Sequence, residues 1–284
     1  MSLSRRQFLG AGAAAAGLTL ARTASAHPAV TAMVDRAELA PPSGASHGFA
    51  GRPVVMSAAN GYETDPHGKQ GIKVAYELLA GGADPLDAAI AGVNVVELNP
   101  NDQSVGLGGL PNADGVVQLD ASCMHGPTRR AGAVGAIEDI ATPSLVAKAV
   151  MDHTDHIFLV GAGARQFAID MGFTPRNLLT DKSRRDWMRW KSRLSPNDNW
   201  LQAPDSSARG GASRGARRGE SGAHLSYDDS LGHVFYDEDG IAHTYGTINM
   251  NAVTAGGDIA SVTTTSGLSW KIPGRVGDSP IIGA

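Results

Sequence analysis

The fold is decided by the stretch GTINMNAVTAGGDIASVTTTSG at residues 246–267, where two strand-forming segments flank a glycine turn. Isoleucine, valine and threonine favour extended backbone, and Thr254-Ala255-Gly256-Gly257 has the composition of a tight turn. The stretch therefore predicts a β-hairpin with one strand over residues 247–253 and its partner over 259–265.

Upstream of this hairpin, helical and extended patterns alternate irregularly. The apolar spacing predicts the following elements: a strand at 53–57, a helix at 71–80, a helix beginning at Pro85 after the cap residue Asp84, a strand at 116–119 with a hairpin partner at 131–137, a helix from 142 to about 151, a strand at 157–160 that turns into another helix, and a strand at 234–236. Helices mixed with hairpins, rather than strict βαβ alternation, favour the α+β class.

The amino-acid composition of the chain argues against some classes of function. The chain has 284 residues, 18% charged residues and a net charge of −4, which favours neither a nucleic-acid partner nor an acidic tail. A single cysteine, Cys123, excludes an internal disulfide framework; a buried thiol is its commoner role, and a nucleophile is the alternative. The nine histidines form no convincing metal-ligand set.

The N-terminus has the pattern of an export signal. Arg5-Arg6 precede an apolar stretch at 9–20, and Ala24-Ser25-Ala26 is a small-residue cleavage site. We expect a twin-arginine signal peptide over 1–26, a flexible tether over 27–50, and a periplasmic or secreted product without a membrane anchor. The twin-arginine translocation machinery would then be one partner.

A second unstructured segment is predicted in the middle of the chain. From about 196 to 230 the sequence is rich in arginine, glycine and serine, which cannot bury a core. The arginines of this segment have no interleaved aromatic residues, so a solvated linker is favoured over a nucleic-acid contact.

The loop that follows the hairpin carries opposite charges. Arg275 and Asp278 lie three residues apart in a glycine-rich segment, and together they suit the carboxylate and ammonium of an amino-acid head group. Taken alone, the pattern favours an Arg–Asp salt bridge that pins the loop, and the head-group site is the alternative on local chemistry.

Several ordered motifs resemble the glycosylasparaginase family. They are GTI at 246–248, TTTSG at 263–267 and GRVGDSP at 274–280, preceded by NP at 99–100, SVGLGGLPN at 104–112, LDA at 119–121 and TDHIFLVG at 154–161. The resemblance implies a four-layer αββα sandwich of the N-terminal-nucleophile hydrolase type. It makes 51–246 the α-chain part and 247–284 the start of the β-chain, truncated at its C-terminus relative to the family.

The same resemblance implies site roles. Cleavage after Gly246 would expose Thr247 as the nucleophile, with Thr265 hydrogen-bonded to it. Arg275, Asp278 and Gly267 match the substrate-binding positions. The implied reaction hydrolyses the amide between N-acetylglucosamine and asparagine and needs no metal or organic cofactor. A homodimer of αβ heterodimers is the corresponding assembly.

Two departures leave alternatives open. Glycosylasparaginases commonly have aspartate before the nucleophile, whereas Gly246 is typical of the asparaginase and isoaspartyl-peptidase branch, which gives a second substrate class. The sequence also ends at Ala284, where family members continue through the oxyanion-hole residues, so an inactive remnant is the alternative from another class.

Overall fold

The computed structural model describes residues 51–194, 234–236, 240–244 and 246–284. The predicted signal peptide, the tether at 27–50 and the 196–230 linker lie outside these residues. The strands are β1 (Val54–Ser57), β2 (Gln118–His125), β3 (Arg130–Glu138), β4 (Phe158–Val160), β5 (Val234–Tyr236), β6 (Ala242–Thr244), β7 (Ile248–Val253) and β8 (Ile259–Thr265). The helices are α1 (Gly71–Ala80), α2 (Pro85–Glu97), α3 (Pro143–His153), α4 (Gly161–Asp170) and α5 (Asp181–Ser192), with a 3₁₀ turn at Ala59–Tyr62.

A six-stranded sheet in the order β1-β7-β8-β2-β3-β4 is the centre of the fold, and β5 and β6 form a separate pair. Strands β7 and β8 form the antiparallel hairpin that the sequence predicts, with Ile248 opposite Thr264 and Val253 opposite Ile259. Strands β2 and β3 form the second predicted hairpin. Helices packed with a largely antiparallel sheet confirm the α+β class, and the four-layer arrangement stays a prediction.

Strands β2, β7 and β8 carry apolar side chains on one face and mostly polar ones on the other, because consecutive side chains of a strand point to opposite faces. On β2, Leu119, Ala121 and Cys123 enter a core shared with helices α1 to α4. Burial raises the pKa of the Cys123 thiol to about 12, which favours the role of a protonated core residue over that of a nucleophile.

Local signals set the helix ends as expected. Asp84 caps α2 by accepting a hydrogen bond from the Leu86 backbone amide at 2.8 Å, and Pro85 occupies the first helical position. Strand β2 is the main boundary error, since it begins at Gln118 and continues to His125.

Helix α5 was not predicted. Its sequence is mostly charged, and only Ser183 and Asp186 are buried. The helix contributes to a small aromatic cluster in which Trp190 stacks on Trp270 with ring centroids 5.3 Å apart. Trp270 also donates a hydrogen bond from Nε1 to the Ala242 carbonyl at 2.8 Å, so this cluster holds β6 just ahead of Gly246.

None of the helices within the described ranges has the length and apolar character needed to cross a membrane.

Candidate active site

One cavity collects every site residue that the sequence singled out. Thr247 immediately precedes β7 and Thr265 ends the paired strand β8, so the hairpin register brings both to the same edge of the sheet. The cavity measures about 180 Å³. Its lining includes the predicted residues Gly246, Thr247, Thr265, Gly267, Arg275 and Asp278, together with Thr244, Leu268, Gly277 and Ser279.

Thr265 contacts the carbonyl before the predicted nucleophile. Its hydroxyl donates to the Gly246 carbonyl oxygen at 2.9 Å and accepts from the Gly267 amide at 2.9 Å. Because the amide occupies a lone pair of Thr265 Oγ1, the hydroxyl proton is directed at the Gly246 carbonyl. In this uncleaved chain Thr265 thus hydrogen-bonds the carbonyl that precedes Thr247, and its contact with the Thr247 side chain stays a prediction.

Gly246 is required by close packing. A Cβ at this position would lie 2.0 Å from the Ser104 Cβ and 2.4 Å from its Oγ. Ser104 is itself held by Asp102, whose Oδ1 accepts from the Ser104 hydroxyl at 2.6 Å and amide at 2.7 Å.

Arg275 and Asp278 are exposed at the cavity. The ion pairs within the described part of the chain do not include one between these two residues. The salt-bridge alternative is therefore wrong for this structure, and both charged groups are available to a ligand.

Gly267 is surrounded by charged side chains. Its φ is +69°, and a Cβ there would lie 3.1 Å from Lys271 Nζ, 3.4 Å from Arg275 Nη1 and 3.6 Å from Asp120 Oδ2. Lys271 is buried and donates to the carbonyls of Gln118 at 2.9 Å and Ser266 at 3.1 Å. Burial lowers the pKa of Lys271, an effect that Asp120 opposes and Arg275 reinforces.

Sequence reasoning missed three residues of this region, namely Ser104, Asp120 and Lys271. The available signal for Asp120 was a carboxylate between the apolar residues Leu119 and Ala121, because a charge within a buried strand needs a specific partner. Ser104 begins the SVGLGGLPN motif, but no local pattern indicates its contact with Gly246, which depends on long-range packing.

Thr247 also lines a second cavity of about 450 Å³. Asp278 and Ser279 line both cavities, so Thr247 lies between two open spaces. Within the described residues, no group of three or more histidine, cysteine, aspartate or glutamate side chains could hold a metal ion.

Comparison of the sequence with known proteins identifies a matching family and several relatives. A family model described as asparaginase matches residues 45–284. An N(4)-(β-N-acetylglucosaminyl)-L-asparaginase from Elizabethkingia miricola is 35% identical over 82% of this chain and 55% of its own length. The enzyme of that name from Rattus norvegicus is 36% identical over 76% of the chain and 60% of its own length.

A relative from Arabidopsis thaliana with a different name, probable isoaspartyl peptidase/L-asparaginase 3, is 32% identical over 76% of the chain and 61% of its own length. The chain therefore spans little more than half the length of the curated relatives it matches.

Proposed function

The chain belongs to the asparaginase family, and on that premise we propose that it is the precursor of an amidohydrolase whose nucleophile is Thr247. Cleavage of the Gly246–Thr247 bond by the chain itself would expose Thr247 at a new N-terminus. The single observation that carries the proposal is the hydrogen bond from the Thr265 hydroxyl to the Gly246 carbonyl.

This hydrogen bond suits the first chemical step. When Thr247 Oγ attacks the Gly246 carbonyl carbon, negative charge develops on the carbonyl oxygen that Thr265 already contacts at 2.9 Å. A donor fixed beforehand stabilises that charge without reorganisation. The C–N bond then breaks, the freed α-amine of Thr247 takes up the hydroxyl proton, and water hydrolyses the resulting ester, which releases the Gly246 carboxylate and restores the Thr247 hydroxyl.

The released α-amine would serve the second reaction. Its reference pKa of about 7.7–8.0 lets it accept the proton of its own hydroxyl near neutral pH. The hydroxyl attacks the side-chain amide of the substrate, the amine of the leaving group is protonated, and water hydrolyses the aspartyl ester on Thr247. Arg275 pairs with the substrate α-carboxylate and Asp278 with its α-ammonium.

For the substrate we propose the amide between N-acetylglucosamine and asparagine, supported by the names of the Elizabethkingia and rat relatives. Asparagine or an isoaspartyl dipeptide is the second candidate. It is favoured by Gly246, whose packing against Ser104 leaves no room for the side chain of an aspartate, and by the name of the Arabidopsis relative.

Three further expectations remain proposals. Export by the twin-arginine route to the periplasm rests on residues 1–26 of the sequence. A four-layer sandwich is supported by the six-stranded sheet that carries its core on one face and polar side chains on the other. Assembly as a dimer of two-chain units rests on the resemblance alone.

Mass spectrometry of the protein expressed from its own gene tests self-cleavage. We expect two chains, the smaller beginning at Thr247, in the wild type and one intact chain in Thr247→Ala. Thr265→Ala should slow cleavage about 10²–10³-fold, the usual effect of removing one donor to a developing oxyanion. Thr265→Ser, which keeps the hydroxyl, should restore most of the rate.

Thr263→Ala is the matched control, because Thr263 lies two residues earlier on the same strand and contacts Asn249 rather than Gly246. A wild-type protein that stays intact would refute the proposal and favour an inactive remnant. For a cleaved protein, hydrolysis rates with a glycosylated asparagine, asparagine and a β-aspartyl dipeptide decide the substrate class.

A further inference from the structure

Three alternate side chains of β2 make hydrogen bonds to the loop that carries Arg275 and Asp278. Gln118 Oε1 accepts from the Gly274 amide at 2.9 Å. Asp120 Oδ2 accepts from the Gly277 amide at 3.5 Å. Ser122 Oγ donates to the Ser279 carbonyl at 2.7 Å.

The geometry of a strand explains this correspondence. Residues i, i+2 and i+4 point to one face and are spaced about 6.6–6.8 Å apart, so a strand presents its alternate side chains at fixed intervals. Here the contacts run in the same order along both segments, and the loop is held before Arg275, between Arg275 and Asp278, and after Asp278. The three β2 residues hold the loop in place and need not contact the substrate themselves.

Neighbouring groups fix the β2 side chains in turn. Gln118 donates from Nε2 to Glu138 Oε1 at 2.8 Å, which orients its amide so that Oε1 faces Gly274. Asp120 Oδ1 accepts from the Ala136 amide at 2.7 Å. Ala136 has φ +48°, an uncommon conformation for a residue with a side chain, and it lies where the β2–β3 register shifts between Leu119 and Ala121.

Burial makes these contacts consequential. Asp120 is fully buried and Gln118 is 6% exposed. A buried polar group that loses its partner is costly, which favours the contact between Gln118 and the Gly274 amide, whereas the Asp120 contact with the Gly277 amide is longer, at 3.5 Å. Lys271 adds to the same arrangement, because its ammonium donates to the Gln118 carbonyl at 2.9 Å.

We propose that Gln118, Asp120 and Ser122 are positioning residues that set the spacing of Arg275 and Asp278, and thereby the selectivity of the site for a head group with both an α-carboxylate and an α-ammonium. This inference rests on the proposed function for the identity of the ligand. The placement of the loop does not depend on it.

The two ends of the loop would contact different groups of the ligand, so substitutions that displace one end should affect different ligands from those that displace the other. Gln118 holds the loop beside Arg275, and Ser122 holds it beside Asp278. Displacing the Arg275 end weakens contacts with a carboxylate, which every dicarboxylate probe has. Displacing the Asp278 end weakens only the contact with an ammonium. The two substitutions therefore differ in which ligands they affect, which a general loss of stability would not reproduce.

The experiment measures Kd by calorimetry for L-aspartate and for succinate, which lacks the amine, in the wild type, Gln118→Leu and Ser122→Ala. We expect Gln118→Leu to weaken both ligands about tenfold. Ser122→Ala should weaken L-aspartate about tenfold and leave succinate within twofold. Ser261→Ala is the control, because Ser261 lies on the polar face of the paired strand and its hydroxyl accepts a hydrogen bond from Asn249 Nδ2.

Amide hydrogen exchange of a peptide covering residues 272–280, measured on the same proteins without ligand, separates the claim that β2 positions the loop from the claim about which ligand the site binds. We expect exchange to accelerate about tenfold in both β2 variants and not in Ser261→Ala. Unchanged exchange, or equal losses for both ligands in both variants, overturns the positioning proposal. Accelerated exchange in a protein whose wild type binds neither ligand supports the positioning and refutes the proposed function instead.

Discussion

The two faces of the central sheet differ in what their side chains do. On β2, Leu119 and Ala121 enter the core, whereas Asp120, between them, holds the loop of the candidate site. On β8, Val262 lies in the core and Thr265 contacts the Gly246 carbonyl. Adjacent residues of one strand thus serve stability and function separately, because consecutive side chains point to opposite faces.

Thr264 is an exception to this division between an apolar core face and a polar site face. Thr264 points to the core face, yet its hydroxyl donates to Glu97 Oε1 at 2.8 Å. Glu97 also accepts from the Ser144 amide at 3.1 Å and hydroxyl at 2.8 Å, and from Asn94 Nδ2 at 2.6 Å. A fully buried carboxylate therefore joins α2, the start of α3 and β8 behind the site.

The largest effect on stability should come from the core face. Leu119 is fully buried, so Leu119→Ala removes buried apolar atoms and leaves a cavity, which typically costs about 2–5 kcal/mol in the free energy of unfolding. Urea unfolding followed by circular dichroism measures this loss. The polar-face control Ser261→Ala should change stability by less than about 0.5 kcal/mol.

Comparable losses in the two variants would show that the polar face also contributes to the folded core, and the division between the faces would then fail.

A pH-dependent effect should come from Glu97. Burial raises its pKa from 4.5 to about 7, although the hydrogen bonds from Thr264, Ser144 and Asn94 act in the opposite direction. The folded state therefore binds this proton more tightly than the unfolded state. Stability is fully present below pH about 4.5 and falls as the pH rises towards 7, by about 3 kcal/mol at about 1.4 kcal/mol for each tenfold change in proton affinity.

Glu97→Gln stays neutral at every pH and removes this dependence. The difference in unfolding free energy between Glu97→Gln and the wild type should rise by about 3 kcal/mol in favour of the variant between pH 4.5 and 8. Glu77→Gln, which removes a carboxylate from an exposed position of α1, is the control for charge alone. A difference that stays flat across this range would mean that the carboxylate is ionised in the folded state throughout.

The sequence predicted the secondary structure and the core face of the sheet better than the contacts on its polar face. The hairpins and helices α1 and α2 follow from local periodicity, and the structure confirms them. The site residues were found through ordered motifs, and the structure brings them to one cavity.

The residues that support the site were not found. The contact of Ser104 with Gly246 spans more than 140 residues, and those of Asp120 and Ser122 with the loop each span 157. Helix α5 was missed because most of its surface is charged and exposed. Such contacts depend on the strand register and on tertiary packing, which no local pattern contains.

The smallest effect should come from Thr264→Val, which keeps the shape of the side chain and removes its hydroxyl. At pH 8, where Glu97 is mostly ionised, the variant loses a hydrogen bond to a charged group and should be destabilised by about 2 kcal/mol; at pH 5 the bond is between neutral groups and the loss should be about 1 kcal/mol.

Cleavage after Gly246 should proceed at the wild-type rate, because Thr264 faces the helices. Thr265→Ala should show the reverse pattern, with slow cleavage and a smaller change in stability. Slow cleavage in Thr264→Val with normal stability would mean that the Glu97 cluster acts on the site through β8, and the two faces would then be coupled.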